Sequence, residues 1–218
     1  MINYIIRKAE RFFSVDMHYI LENGSWIATG KIFASLTAFA LSVAYARYLP
    51  KTVYGDYRYI LSVLSVAGIF AVPGVGVAMA RSVARGFDGT FRRGGKMIFF
   101  ASFGISIFGI GCAIYFFYAG NAFLAWGFII ASIFIPLVEG LGNWRNYYDG
   151  KKDFKTKTIL NTIVQLSYGF FMLFGVAIIY MFELSTGLSL LILLIAYSLG
   201  EGLTNTFFFI QTLKKIPR

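Results

Sequence analysis

Apolar residues run through this chain in six long stretches, at residues 26–46, 59–80, 97–118, 121–143, 158–181 and 187–210. Each is close to the roughly 20 residues that a helix needs to cross about 30 Å of hydrocarbon. None shows the ten-residue alternation of a barrel strand, and an open strand in lipid leaves its backbone groups unsatisfied, so the pattern predicts six spanning helices. The longest interruptions, 81–96 and 144–157, are basic and too short to form a soluble catalytic domain. The expected fold is an all-α integral membrane protein, divided into a segment at 1–25, a six-helix transmembrane lobe at 26–213 and a basic tail at 214–218.

Periodicity inside these stretches predicts more. Ile2, Ile5, Ile6, Ala9, Phe12 and Phe13 share one helical face while Asn3, Arg7, Lys8, Arg11 and Ser14 share the other, as in a helix lying on a membrane surface. Residues 1–25 are therefore expected to form an interfacial amphipathic helix, not a cleaved signal peptide, because they lack an uninterrupted apolar core and a small-residue cleavage site. In the first span Gly30, Ala34, Ala38, Ser42 and Ala46 recur at every fourth residue, which predicts close approach of a neighbour and a helix packed deep in a bundle. The second span carries Pro73-Gly74-Val75-Gly76, where a lost backbone hydrogen bond and flexible glycines predict a hinge, or alternatively the ordinary tolerance of membrane helices for these residues.

Composition agrees with the pattern: 58% hydrophobic residues, 19% aromatics and a mean hydropathy of +0.69 lie far from a soluble domain. Charge then orients the helices. Of 20 Lys and Arg, three precede the first span, five lie in each of the second and fourth connections and three follow the sixth span. Only Arg47, Lys51 and Arg58 fall on the other side, and Lys31 lies within the first span. By the positive-inside rule both termini are expected in the cytoplasm, in a multi-pass protein of the cytoplasmic membrane. The net charge of +10 is then a topological signal that also favours anionic lipid, and no soluble module suggests nucleic-acid binding.

Catalytic chemistry finds few residues. Cys112 is the one cysteine and His18 the one histidine, so neither an intrachain disulfide nor a Cys/His metal site is expected. There is no Gly-rich phosphate loop and no Ser/His/Asp set, and the closest acidic pair, Asp149 and Asp153, reads as loop solvation. No cofactor is expected, and the protein is expected not to be an enzyme.

The order of residues around the first connection is distinctive: Ala46-Arg47-Tyr48-Leu49-Pro50, then Tyr54-Gly55-Asp56-Tyr57, an apolar span with Gly74 and Gly76, and Ala80-Arg81 with Ala84-Arg85. It resembles the N-terminal part of the polysaccharide-biosynthesis flippases, the Wzx-like branch of the multidrug/oligosaccharidyl-lipid/polysaccharide exporter superfamily. Tyr148-Asp149-Gly150-Lys151-Lys152-Asp153-Phe154-Lys155 is similar to the basic-aromatic loop after that family's fourth span. The resemblance covers residues 25 to 210 and implies one lobe of a fold that usually has two, so a second six-helix lobe is expected from a longer chain or from a second copy. It also implies a carrier that flips a polyprenyl-pyrophosphate-linked oligosaccharide by alternating access, with a cation-coupled multidrug exporter, a membrane enzyme on lipid-linked sugars and a noncatalytic scaffold as alternatives.

Such a substrate demands a polar, cationic path, since glycan and pyrophosphate lose hydration in the membrane. Lys31, Arg81, Arg85 and Arg145 are the candidate substrate-binding residues. Lys31 either faces the bundle or snorkels to the headgroups. Arg81 and Arg85, four residues apart, either clamp a pyrophosphate or only set topology, and Arg145 carries the same ambiguity. Glu201 lies well inside the sixth span, too short to snorkel, and is the candidate for proton coupling or for pairing with Lys31. Glu139 reads as an interfacial carboxylate or a second coupling group, while Gln165 and Asn205 add polarity or interhelical hydrogen bonds. Tyr45, Tyr48, Tyr54, Tyr57 and Tyr59, with Trp26 and Trp144, read as aromatic belts at the two interfaces.

Overall fold

The computed structural model describes residues 17–72 and 74–216, all helical or in short turns, with no strand among them. The chain is an all-α, multi-pass membrane protein: five helices are long and apolar enough to cross a bilayer, and one bent pair brings the number to six where it is counted as a single span. In order, α1 covers Met17–Tyr48, α2 Lys51–Val66, a 3₁₀ turn Ala67–Ala71, α3 Gly74–Ala84, α4 Thr90–Tyr118 and α5 Ala122–Ile135. A π-helical turn at Pro136–Gly140 follows, then α6 Trp144–Gly150, α7 Phe154–Met181 and α8 Thr186–Lys215. The amphipathic helix expected at the N-terminus lies largely outside the described residues.

Turn chemistry sets the helix ends. Gly86 and Gly120 take φ of +92° and +82°, and each closes its helix with paired backbone bonds: Gly86 N–H to Val83 O with Phe87 N–H to Ser82 O, and Gly120 N–H to Phe117 O with Asn121 N–H to Phe116 O. This double closure occupies carbonyls that a helix end otherwise leaves open, and glycine accepts the left-handed backbone without strain. Asp153 and Asn121 start α7 and α5 by accepting the backbone N–H of Thr156 and Leu124.

The two basic segments expected as long loops are mostly helix. Helix α3 runs to Ala84 and α4 begins at Thr90, while α6 and α7 leave only Lys151, Lys152 and Asp153 between them. Hydropathy marks where side chains become too polar for hydrocarbon, but the backbone ladder continues into the headgroup region. Asp149 and Asp153 are correspondingly engaged, the first in an ion pair of 2.6 Å with Lys157 and the second as the α7 cap.

Among the described residues, the basic segments at 81–96, 144–157 and 214–215 meet at one end of the lobe. There Lys151 Nζ pairs with Asp88 at 2.7 Å, Arg92 donates to Ile216 O and Lys215 Nζ donates to the Tyr148 hydroxyl. The Asp88 hydrogen bond raises the pKa of the Lys151 ammonium above its ordinary value, so Lys151 stays charged through neutral pH. Gly150 sits so close to α3 that a Cβ there would stand 2.6 Å from Ala80 O. At the opposite end Tyr48 packs edge-on against Tyr180 and Gly187 against Phe123.

Helices α4 with α5, α7 with α8, and α5 with α8 form the packed centre, and α1 attaches mainly along α7. The first span is therefore peripheral, with 11% of its apolar stretch buried against 50% for α8, contrary to the expected deep packing. The reason is geometric. A four-residue repeat advances about 40° around a 3.6-residue helix at each step. Gly30 reaches Thr158 and Ala34 is half-buried, but Ala38, Ser42 and Ala46 have rotated out to the surface. The face that packs is instead marked by Leu41, Ala44 and Tyr45.

The second span is the bent one. Between α2 and α3 the axis turns by 63°, and Val72 takes a left-handed backbone at φ +50° just before Pro73. A proline disfavours helical backbone in the residue before it, so the helix ends on that side. Pro73 itself lies outside the described residues; Gly74 has open space around it and Gly76 packs against Asn146.

Candidate functional site

The two broken helices face one another. The 3₁₀ turn of the second span and the π turn of the fourth, together with α4 and α8, line a half-open cavity of about 630 Å³. Backbone breaks of this kind are tolerated at membrane depth where they line a cavity, and π turns recur at functional sites.

Three charged side chains line the cavity: Glu139 from the π turn, Arg145 from α6 and Glu201 from the middle of α8. Arg145 is held by directed contacts. Its Nε donates to Asn161 Oδ1 at 2.9 Å, its Nη1 to Gly142 O at 3.1 Å, and its guanidinium lies 4.9 Å from the Trp144 ring centroid. Both carboxylates interact electrostatically with it, yet neither comes within the 4.0 Å of a direct ion pair. A lone guanidinium in this setting is expensive, and two nearby carboxylates compensate it while keeping their own oxygens uncommitted.

Neutral polar groups extend the site. Asn143, 5% exposed, donates through Nδ2 to Gly140 O, and its Oδ1 has no hydrogen-bond partner. Ser198, 1% exposed, likewise has an unpartnered Oγ, and Asn146 and Tyr197 complete the polar lining. With one cation and two carboxylates, the cavity suits a proton or small cation better than a pyrophosphate. Among the described residues no three of His, Cys, Asp and Glu gather to hold a metal ion.

The other candidates lie elsewhere. Lys31 is exposed on α1 with no carboxylate of the described residues within 4.0 Å, so it does not pair with Glu201. It sits beside Gly30, which touches Thr158 one turn along α7 from Lys155, and hence near the basic end. Arg81 and Arg85 are exposed at that same end, Arg81 on α3 and Arg85 in the turn that follows. Gln165 is half-buried on α7 and outside the lining. Asn205 is fully buried and bonds across helices, accepting from Trp144 Nε1 at 3.1 Å and donating to Val138 O at 3.1 Å.

Trp144, expected in an interfacial belt, is likewise fully buried against Phe208 and Tyr148. Tyr45 and Tyr57 are core residues as well, while Tyr48 and Tyr59 remain exposed. Placing residue 144 at the start of a loop hid this arrangement, and with it Asn146. The available signal was the polar spacing Asn143, Asn146 after Pro136, Gly140 and Gly142, which marks a distorted helix turning amides inward.

A family model for polysaccharide biosynthesis proteins matches residues 20–216, nearly the whole chain and all of this cavity. The chain belongs to the polysaccharide biosynthesis protein family. No curated protein and no solved structure matches it. Family membership carries the resemblance drawn from the first connection and the Tyr148–Lys155 segment, and is consistent with a flippase-type membrane protein.

Proposed function

We infer that this chain is a six-helix lobe of a carrier, not an enzyme, that flips a polyprenyl-pyrophosphate-linked oligosaccharide across the cytoplasmic membrane for surface polysaccharide synthesis. One observation carries this reading: a charged cavity inside the lobe, bounded by two broken spans and holding Glu139, Arg145 and Glu201 without a closed ion pair. Alternating access needs an element with two arrangements, and breaks in two facing spans supply bending points. It also needs a group whose charge can change inside the membrane, and Glu201 is the deepest such group.

In this reading substrate and coupling sites are separate. The exposed cations Lys31, Arg81 and Arg85 meet the pyrophosphate along the lobe surface, where a second lobe, from a longer chain or another copy, closes the path. Arg145 acts inside as the counter-charge of the two carboxylates. Both termini face the cytoplasm, and the basic end rests against anionic lipid.

The test is restoration of surface glycan in cells lacking their own flippase. The wild-type protein is expected to restore it, and Glu201→Gln to lower the rate by about 100-fold, the usual scale for losing a proton-transfer group. A Glu201→Gln protein that flips at the wild-type rate refutes the coupling role. Two carboxylates against one guanidinium also favour a second reading, cation-coupled export of lipophilic cations. Ethidium efflux dependent on Glu201, with no glycan restored, selects it.

A further inference from the structure

Five of the fourteen tyrosines are clustered between the first, second, fifth and sixth spans. Tyr197 is one helical turn before Glu201 on α8, and both line the cavity. Its ring lies 6.4 Å from that of Tyr57 and 6.0 Å from that of Tyr168. The Tyr168 phenol in turn interacts electrostatically with Tyr45 and Tyr57, and Tyr45 lies 5.4 Å from Tyr54 between ring centroids. Tyr45 is one turn from the end of α1 and Tyr54 in the first turn of α2, at the end of the lobe away from the basic segments. At 1.5 Å per residue, Glu201 is about 22 Å along α8 from that end.

The surroundings make these hydroxyls costly. The cluster sits among Leu41, Ile60, Met172, Leu190 and Leu193, all buried. The Tyr45 hydroxyl is buried, and its hydrogen-bonding neighbour is the Tyr168 phenol, short of full hydrogen-bond geometry. Burying a hydroxyl without a well-made hydrogen bond is costly. Phenylalanine, of which the chain has 24, would supply the same ring packing without that cost. Packing therefore accounts for the rings and leaves the hydroxyls unexplained.

We propose that Tyr54, Tyr45, Tyr57, Tyr168 and Tyr197 form a proton relay between the aqueous phase at the non-basic end and Glu201. A proton from water enters at Tyr54. Each hydroxyl accepts a proton on oxygen and passes its own onward, so every phenol ends neutral, and the Glu201 carboxylate becomes the carboxylic acid. Arg58 stands near the entrance, 5.8 Å from the Tyr54 ring centroid, and Glu139 and Arg145 are the charged groups facing Glu201 at the far end. The inference rests on the coupling role of Glu201 and names the route by which its proton arrives.

Proteoliposomes loaded with a pH-sensitive dye test it, with Glu201→Gln as the zero reference and Tyr168→Phe and Tyr57→Phe as the interrupted relays. Thermal unfolding of each variant checks the fold. Tyr48→Phe, exposed and outside the row, is the control expected at the wild-type rate. The expected result is Glu201-dependent proton flux that falls at least about tenfold in folded Tyr168→Phe or Tyr57→Phe protein. Glu201-dependent flux that persists at the wild-type rate in both variants overturns the relay and leaves the coupling role standing. Wild-type flux no greater than that of Glu201→Gln overturns both.

Discussion

The first and sixth spans are similar in length, equally apolar, and each carries one charged side chain within the membrane, yet the fold treats them differently. Helix α8 has half of its apolar stretch buried and presents Glu201 to a cavity; α1 has 11% buried and leaves Lys31 on the surface. Apolarity selects a helix for the bilayer but cannot choose its neighbours, because lipid tails solvate Leu as well as protein does. Helix α8 gains its position through small residues and directed polar contacts. A Cβ on Gly200 would stand 2.8 Å from the Tyr168 backbone, and Asn205 ties α8 to Trp144 and Val138. Along α1 such contacts are confined to one side, where Gly30 meets Thr158 and Gly169 of α7 meets Thr37.

The largest effect on this contrast is expected from emptying the anchor of α8. Trp144→Ala removes a fully buried indole together with the donor to Asn205 and should cost about 3–5 kcal/mol, read as a lower unfolding midpoint in detergent. Retention of the wild-type midpoint would show that α8 is held by something other than this contact. Gly200→Ala is next. Its methyl meets backbone, not a side chain that can turn away, and overpacking should cost about 1–3 kcal/mol despite the better helix propensity of alanine.

Smaller effects are expected on α1. Lys31→Ala should slow flipping by only about fivefold, as for one exposed cation among several worth about 1 kcal/mol, with the unfolding midpoint unchanged. A loss as large as that of Glu201→Gln would mean that Lys31 is covered by a partner lobe and holds the headgroup alone. Leu36→Ala, on a residue 60% exposed, should change stability by less than about 0.5 kcal/mol. A cost above 2 kcal/mol would mean that this face is buried against protein in the membrane.

The six spans, the basic end and the family were readable in one dimension. Hydrocarbon imposes its thickness on every helix independently, and each cation is costly to move through it, so span length and charge placement can be counted residue by residue. The Gly30 stripe was legible as a place of close approach and misleading beyond its first turn, since a repeat of four and a helix of 3.6 part company along the axis. Glu201 was legible as an intramembrane carboxylate, but its partner was not: Lys31 was the nearest reading in the sequence, while the fold supplies Arg145 from a helix that charge counting had assigned to a loop. Which face of each helix meets protein, and hence that Glu139, Arg145 and Glu201 share a cavity and five tyrosines share a core, depends on the angular register between helices. Bilayer solvation is nearly indifferent to that register. Only tertiary packing decides it, through the few positions where a missing Cβ or a buried amide admits one neighbour and excludes the rest.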